Sequence, residues 1–169
     1  MTNATASECV AVGSRALKLH TSGARNTAVG SEAAATVTTG ADITAIGRSC
    51  LAAATGSNNT GLGSKCLITN TSGHTNTAVG QNAMLDNTTG VNNVAVGAEA
   101  LDANTTSEQC VAIGRSALTN SNGNANTAVG FEAGLNVTSG NSNDMFGRAT
   151  MNSLTTGTDN CGFGKGSLK

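Results

Sequence analysis

A glycine that recurs at a nearly constant interval is the feature of this sequence that most limits its fold. It closes a Val-Gly, Ile-Gly, Leu-Gly or Phe-Gly step, and successive copies stand 16 or 17 residues apart. The ten motif glycines are Gly13, Gly30, Gly47, Gly63, Gly80, Gly97, Gly114, Gly130, Gly147 and Gly164. A period of this length is typical of a stack of equal coils. We therefore expect residues 1–169 to form one repeat domain of ten coils without an evident cap.

Composition favours the same architecture over a conventional core or a disordered chain. Aromatic residues make up 2% of the 169 residues and charged residues 11%, and the net charge is −1. So few bulky side chains would leave a globular core short of buried apolar area. Disordered chains usually combine high net charge with few aliphatic residues, whereas here Val, Ile and Leu recur regularly. The sequence predicts an all-β fold, a β-solenoid or β-roll of ten coils of about 17 residues.

The interval between motif glycines also predicts the layout of one coil. In most copies a second glycine, the turn glycine, follows nine or ten residues after the motif glycine and ends a run of small polar residues. The two copies that lack one residue, those beginning at Gly47 and Gly114, lose it between these two glycines. A loop tolerates such a loss, whereas a strand would turn its side chains to the opposite face. We expect each coil to contain a strand, a tight turn, a second short strand and a turn.

Positions are numbered from the motif glycine as zero, and the residues just before it alternate in size. Position −2 is mostly Ala or Gly and position +3 is small. Position −1 is always a sizeable apolar residue: Val12, Val29, Ile46, Leu62, Val79, Val96, Ile113, Val129, Phe146 and Phe163. Alternation places positions −1 and −2 on opposite faces of the strand. We expect the large residues inside the coil and the small ones where another backbone approaches, which predicts lateral self-association around an axis.

Position −4 carries asparagine in seven copies and Cys9, Ile43 or Cys110 in the others. The seven are Asn26, Asn59, Asn76, Asn93, Asn126, Asn143 and Asn160. A site that exchanges Asn with Cys and Ile is expected to be buried. The amides would then form a ladder that bonds neighbouring coils and the turn backbone. The alternative is a row of asparagines that binds sugar.

Positions +1 and +2 carry most of the charged side chains. This candidate surface stripe comprises Arg15, Glu32, Arg48, Lys65, Glu99, Arg115, Glu132, Arg148 and Lys165. Because the sign of the charge changes along the stack, the stripe predicts weak ion pairs between coils roughly 4.8 Å apart. The alternative is a stripe that binds a ligand.

Several segments carry a recognisable motif: NTAVGSEA, NTAVGQNAM, NTAVGFEAG, NNVAVGAEAL and CVAIGRSAL. They resemble the NTAVGxxAL repeats of fibre proteins of phages and large viruses, such as tail fibres. They also resemble the VAIG repeats in the head domains of trimeric autotransporter adhesins, which form trimeric β-rolls. The resemblance extends from Glu8 to Leu168 and implies a trimeric or otherwise laterally associated solenoid. The signal peptide, heptad stalk and membrane barrel of an autotransporter are not seen, so the viral-fibre resemblance is the better one.

These observations predict a structural fibre or filament subunit, most consistent with a viral tail fibre located in a virion or extracellular fibre and folded in a host cytosol. The alternative is an adhesin or receptor-binding segment that recognises a host surface glycan. A third, weaker hypothesis is an ice-binding solenoid, based on threonine pairs before the turn glycines. The chain's predicted partner is itself, as a homo-oligomer. Near-neutral charge gives no case for nucleic acid, and no stretch approaches the length of a transmembrane helix, so no membrane insertion is predicted.

No enzyme, cofactor or metal site is predicted. His20 and His74 stand at different repeat positions, and no paired carboxylates, phosphate loop or metal-ligand cluster is evident. The five cysteines match no zinc or redox motif, and we expect free thiols, including Cys50 and Cys66 in neighbouring coils. Asn-x-Ser/Thr triplets, among them Asn70, Asn87, Asn104 and Asn136, recur with the repeat.

The chain length suggests a further expectation. From Gly13 to Gly164 is 151 residues, and one further repeat of 17 gives 168, the length of Thr2 to Lys169. The ends of such a stack would fit each other. Either the protein polymerises head to tail into a filament, which we favour, or the chain is a segment of a longer fibre.

Overall fold

A computed structural model describes residues 7–168, and within that range the chain is an all-β solenoid with no helix. Ten strands of three residues form one parallel sheet in sequential order. The strands are β1 Val10–Val12, β2 Thr27–Val29, β3 Thr44–Ile46, β4 Thr60–Leu62, β5 Thr77–Val79, β6 Val94–Val96, β7 Val111–Ile113, β8 Thr127–Val129, β9 Asp144–Phe146 and β10 Cys161–Phe163. Each strand ends at position −1, so the predicted period and the predicted coils are confirmed.

The register of the sheet follows the repeat numbering without interruption. Position −2 of one strand pairs with position −2 of the next, as in Ala78 with Ala95. The short copy that begins at Gly47 keeps this register, since Thr44 still pairs with Thr60 and Thr60 with Thr77. The missing residue lies outside the strands, as predicted, because a loss within a strand would reverse its two faces.

The second strand expected in each coil is absent from residues 7–168, and turns take its place. Twenty-eight non-glycine residues have φ between 48° and 61°, and all of them stand at positions −5, +2 or +4. Glu99 and Leu101 illustrate the pattern, with φ of 61° and 51°. Alternating left-handed residues bend the chain sharply and prevent a second extended segment. The expectation of two strands per coil was wrong because residue types at these positions give no sign of positive φ.

The strand faces are also the reverse of the sequence-based expectation. The small residue at position −2 points into the coil, and Ala45, Ala78 and Ala95 are fully buried. The larger residue at position −1 points outward, and Leu62 is 47% exposed. The interior is filled instead by residues at +4: Leu17, Leu51, Leu67, Met84, Leu101, Leu118 and Met151 are buried. Because these side chains already occupy the coil, an Ala or Gly is what fits opposite them.

Departures from the repeat inside the coil compensate one another in volume. A Cβ added to Gly61 would lie 2.4 Å from Cys50 Sγ and 3.0 Å from Cys66 Sγ, so the two thiols use the space of the missing methyl. Similarly, a Cβ on Gly134 would lie 2.6 Å from Sδ of Met145. Met145 is the large residue at −2, and Gly134 is the small residue at +4 that accommodates it. The interior is therefore a close-packed set of matched residues.

The motif glycines mark a close approach of successive backbones. Gly80 has φ of 135°, a conformation that residues with a Cβ rarely adopt. A Cβ there would stand 2.5 Å from the carbonyl oxygen of Gly97 in the next coil. Only glycine satisfies both conditions, which explains the regularity from which the fold was predicted.

Candidate functional site

The asparagines at position −4 form the predicted ladder. Six of the seven are fully buried, and Asn160 is partly buried. The Asn76 side-chain amide donates to the Gly90 carbonyl oxygen (2.8 Å), and its own oxygen accepts the backbone N–H of Asn93 (3.0 Å). The six fully buried side chains each tie their coil to the following one by these two bonds, whereas the Asn160 amide donates back to Asn143 Oδ1. This placement supports a structural role and leaves no exposed row of position −4 amides for a sugar.

A cysteine at position −4 partly replaces the asparagine. The Cys110 thiol lies 3.2 Å from the Gly123 carbonyl oxygen, which is the turn-glycine oxygen that an asparagine amide would reach. Its backbone N–H donates to Asn93 Oδ1 at 2.9 Å, so the ladder continues into this coil. The exchange of Asn with Cys reflects a shared ability to donate a hydrogen bond, although a thiol is the weaker donor.

A second asparagine ladder, at position +7, was not identified from the sequence. Asn70, Asn87 and Asn104 are fully buried. The Asn87 amide donates to Asn70 Oδ1 (2.8 Å), and the Asn104 amide donates to Asn87 Oδ1 (3.2 Å). These residues were noted only as Asn-x-Ser/Thr triplets, and their burial makes them inaccessible to modification in the folded chain. Their recurrence at one position of three consecutive coils was the available signal.

The residues at position −1 form an exposed apolar row, called here the outer row, along the whole sheet. Val12, Ile46, Leu62, Val96, Ile113 and Phe163 are each more than a third exposed. Phe146 and Phe163 stack with ring centroids 4.9 Å apart and an interplanar angle of 9°. At roughly 4.8 Å per coil the outer row is about 48 Å long. A continuous exposed apolar surface of this kind is typical of an interaction site.

The candidate surface stripe lies on the outside, and its charges are distributed unevenly. In the first coils Arg15 pairs with Glu32 (3.0 Å). Nearby, at position −5, Arg25 makes a two-pronged contact with Asp42 (2.6 and 2.7 Å). The hydrogen bond from Arg25 lowers the pKa of the Asp42 carboxyl and raises that of Arg25 itself. Arg115 lies 3.9 Å from Glu99, which continues the predicted ion pairs.

In the last coils the stripe contains an aromatic residue, Phe131, and two cations without an ion-pair partner among the described residues. Phe131 stands at position +1, between Arg115 of the previous coil and Arg148 of the next. The two guanidinium carbons lie 5.9 and 5.7 Å from the centre of its ring, within the range of cation–π attraction. Arg148 and Lys165 line a cleft of about 390 Å³ together with Ala149 and Gly166. Neither cation forms an ion pair with any residue between 7 and 168.

The remaining candidate residues do not come together into a reactive centre. His20 is buried, and its Nε2–H donates to the Gly23 carbonyl oxygen (2.7 Å), whereas His74 is exposed. All five cysteines are free thiols, as expected. The hydrogen bond with Cys66 and burial raise the pKa of the Cys50 thiol, and burial raises that of Cys110. Among the described residues no three His, Cys, Asp or Glu side chains are placed to hold a metal ion.

Several of the threonines that precede the turn glycines, the group considered for ice binding, use their hydroxyl groups to bond the neighbouring coil. Thr71 Oγ1 donates to the Thr88 carbonyl oxygen, and Thr88 Oγ1 donates to that of Thr105, each at 2.9 Å. The same bond recurs at Thr55 and Thr138. These bonds link neighbouring coils as the asparagine ladders do.

Comparison with protein-family models, curated proteins and solved structures gave no match. The ten stacked strands define the class of the fold as a β-solenoid, built from coils of 16 or 17 residues. Within residues 7–168 no helix has the length and apolarity needed to cross a membrane.

Proposed function

We propose that this protein is a structural fibre subunit: a β-solenoid rod that associates side by side with copies of itself through the outer row. The observation that carries the proposal is the exposure of this row in the single chain. Burying a half-exposed Val, Leu or Ile releases about 1 kcal/mol, and the row offers ten apolar residues. A second copy is the partner that such a row fits, because an equally long and regular apolar row lies on every copy.

The resemblance of the repeat to NTAVGxxAL repeats supports a place in a viral fibre, such as a tail fibre. The resemblance to trimeric β-rolls supports three copies around one axis, with the outer rows turned toward it. The asparagine ladders add axial stiffness, because each coil is hydrogen-bonded to the next from inside. Stiffness along the axis and adhesion across it are what a fibre requires, and neither needs catalysis.

The proposal is tested by the oligomeric state of the full chain in sedimentation equilibrium. The wild type is expected to form a discrete oligomer, and a double variant Leu62→Lys and Ile113→Lys is expected to be monomeric. Both residues are exposed in the single chain, so the charges should leave the fold intact, as circular dichroism would verify. The matched control carries Gln81→Lys and Asn92→Lys, two exposed positions outside the strands and the outer row, and should associate like the wild type. A monomeric wild type, or equal association of both double variants, would refute the proposal.

Head-to-tail stacking remains a prediction of the same proposal. The bonds that join one coil to the next, such as Cys110 N–H to Asn93 Oδ1, are the bonds that two stacked copies would use. Negative-stain electron microscopy at several concentrations of the full chain tests it. Filaments that lengthen with concentration and repeat near 48 Å along the axis support stacking. Short rods of constant length at every concentration contradict it.

A further inference from the structure

We propose that the last coils of the solenoid carry a binding site for the carboxylate of an acidic sugar, formed by Arg148 and Lys165 and supported by Phe131. The site lies at the end of the candidate surface stripe and is separate from the outer row. It therefore adds a recognition function to the proposed fibre and does not depend on lateral association.

The first argument is the loss of counter-charges along the stripe. Three of the eight earlier coils carry a glutamate at position +2, Glu32, Glu99 and Glu132, and two of these glutamates form ion pairs. In the last two coils the same position carries Ala149 and Gly166. Glu132 lies one coil before Arg148 but forms no ion pair with it, and the small residues of the last two coils leave a cleft between Arg148 and Lys165. Two cations one coil apart, roughly 4.8 Å, are thus left available to an external anion.

The second argument is preorganisation of the arginine. The Arg148 guanidinium lies 5.7 Å from the centre of the Phe131 ring, and Arg115 lies over the same ring at 5.9 Å. Stacking on an aromatic ring restricts a side chain that would otherwise move freely, and this reduces the entropy lost on binding. A guanidinium held in place offers paired N–H donors that match a carboxylate, with the Lys165 ammonium as a second donor.

The third argument selects the class of ligand. A nucleic acid would need a long basic track, but Glu132 lies in the coil before Arg148 and Glu99 lies three coils before it. Base stacking would need a free aromatic face, whereas guanidinium groups lie over Phe131 from the coil on each side. Apart from the two cations the cleft is lined by Ala149 and Gly166, which are small and uncharged. One anionic group with a hydroxyl-rich, otherwise neutral body fits this setting, and an acidic sugar has that chemistry.

Binding of the full chain to immobilised glycans tests the site. The probe is a glycan that ends in a sialic acid, presented in many copies, and the reference is the same glycan with the carboxylate reduced to an alcohol. We expect the acidic form to bind at least about tenfold better, since a charged hydrogen-bonded pair is lost with the carboxylate. Binding should weaken as salt is raised. Equal binding of both forms, or binding to neither, would overturn the proposal.

Variants assign the binding to these residues. The double variant Arg148→Gln and Lys165→Gln should lower binding by about tenfold or more. Phe131→Leu should lower it by roughly three- to fivefold, because the cation–π contact that orients Arg148 is removed. Arg48→Gln is the matched control: Arg48 is an exposed arginine at the same position +1 of an earlier coil, and binding should not change. Equal loss in the control, or equal binding of poly-glutamate, would show general charge attraction and overturn the site. Sedimentation of each variant should match the wild type, which separates this result from a failure of assembly.

Discussion

Met145 and Gly134 offer the sharpest test of how the interior of the coil is packed. Met145 is the one large residue at position −2 among Ala and Gly, and Gly134 is the one glycine at position +4 among Leu, Met and Ala. A Cβ on Gly134 would meet Met145 Sδ at 2.6 Å and Leu118 Cδ2 at 3.0 Å. The Met145 side chain therefore occupies the space that a side chain at position 134 would fill. Replacing Gly134 with Leu and Met145 with Ala should restore the pairing of Leu with Ala found in other coils.

Each single replacement should destabilise the fold. Met145→Ala empties a fully buried site, which typically costs about 2–5 kcal/mol. Gly134→Leu forces a side chain into the space of Met145 and should cost about 1–3 kcal/mol. Gly134 has φ of 62°, close to the 51° of Leu118 at the same position of the preceding coil, so the backbone accepts leucine there. The cost of Gly134→Leu should therefore come from the clash and not from the backbone.

The double variant Gly134→Leu with Met145→Ala should unfold within about 1 kcal/mol of the wild type, since the clash and the cavity cancel. Denaturant unfolding followed by circular dichroism measures all four proteins of the cycle. The matched control, Leu118→Gly with Ala128→Met, introduces a second pair of the same kind one coil earlier and should be tolerated better than either change alone. If the double variant loses the sum of the two single losses to within about 0.5 kcal/mol, the residues are independent and the reasoning is wrong.

Three further outcomes are expected. Burial first, then the charges of Asp86 and Glu99, raise the pKa of Asp102, so its contribution to stability is present at low pH and is lost as the pH rises through that raised pKa. Asp102→Asn should therefore increase the melting temperature at neutral pH and reduce its dependence on pH, and an unchanged dependence would contradict this. Thr75 is a β-branched residue with φ of 59°, and Thr75→Asn, which matches Asn58 and Asn92 at the same position, should stabilise the protein by about 1 kcal/mol in thermal unfolding, with a loss counting against the strain argument. A thiol reagent should label exposed Cys161 in the native protein and buried Cys50, Cys66 and Cys110 only after denaturation, and rapid labelling of Cys50 would contradict its burial.

The period, the strand positions and the place of the missing residues were predictable because they depend on register. A coil such as the one from Gly47 can lose a residue only where no strand face is reversed, and the sequence showed that place directly. The asparagine ladder was predictable for a related reason. An Asn that exchanges with Ile43 or Cys110 must tolerate burial, and a buried amide needs hydrogen-bond partners.

The orientation of the strand was not predictable from alternation alone, because alternation separates two faces without saying which is inside. Deciding which face is inside requires knowing which other side chains fill the interior of the coil, above all those at position +4 such as Leu101. Leu101 has φ of 51°, and nothing about leucine predicts a left-handed conformation. The contact of Phe131 with two arginines was not predicted for a simpler reason: the candidate surface stripe comprises charged residues only, although Phe131 stands at the same position +1.

The outer row repeats in every coil and the charged stripe does not, which argues for different roles of the two surfaces. The outer row is apolar in every coil, from Val12 to Phe163, so whatever it contacts must be met by every coil in the same way. A parallel copy of the same rod meets this condition, because its row repeats at the same spacing. The charged stripe changes from coil to coil, and the arrangement of Phe131, Arg148 and Lys165 occurs at one end of the described chain. Side-by-side association along the whole rod would require the same feature in each coil. A feature found in one place is instead suited to a local contact. Assembly along the whole rod and recognition near one end are therefore separable, and variants of either surface should leave the other unaffected.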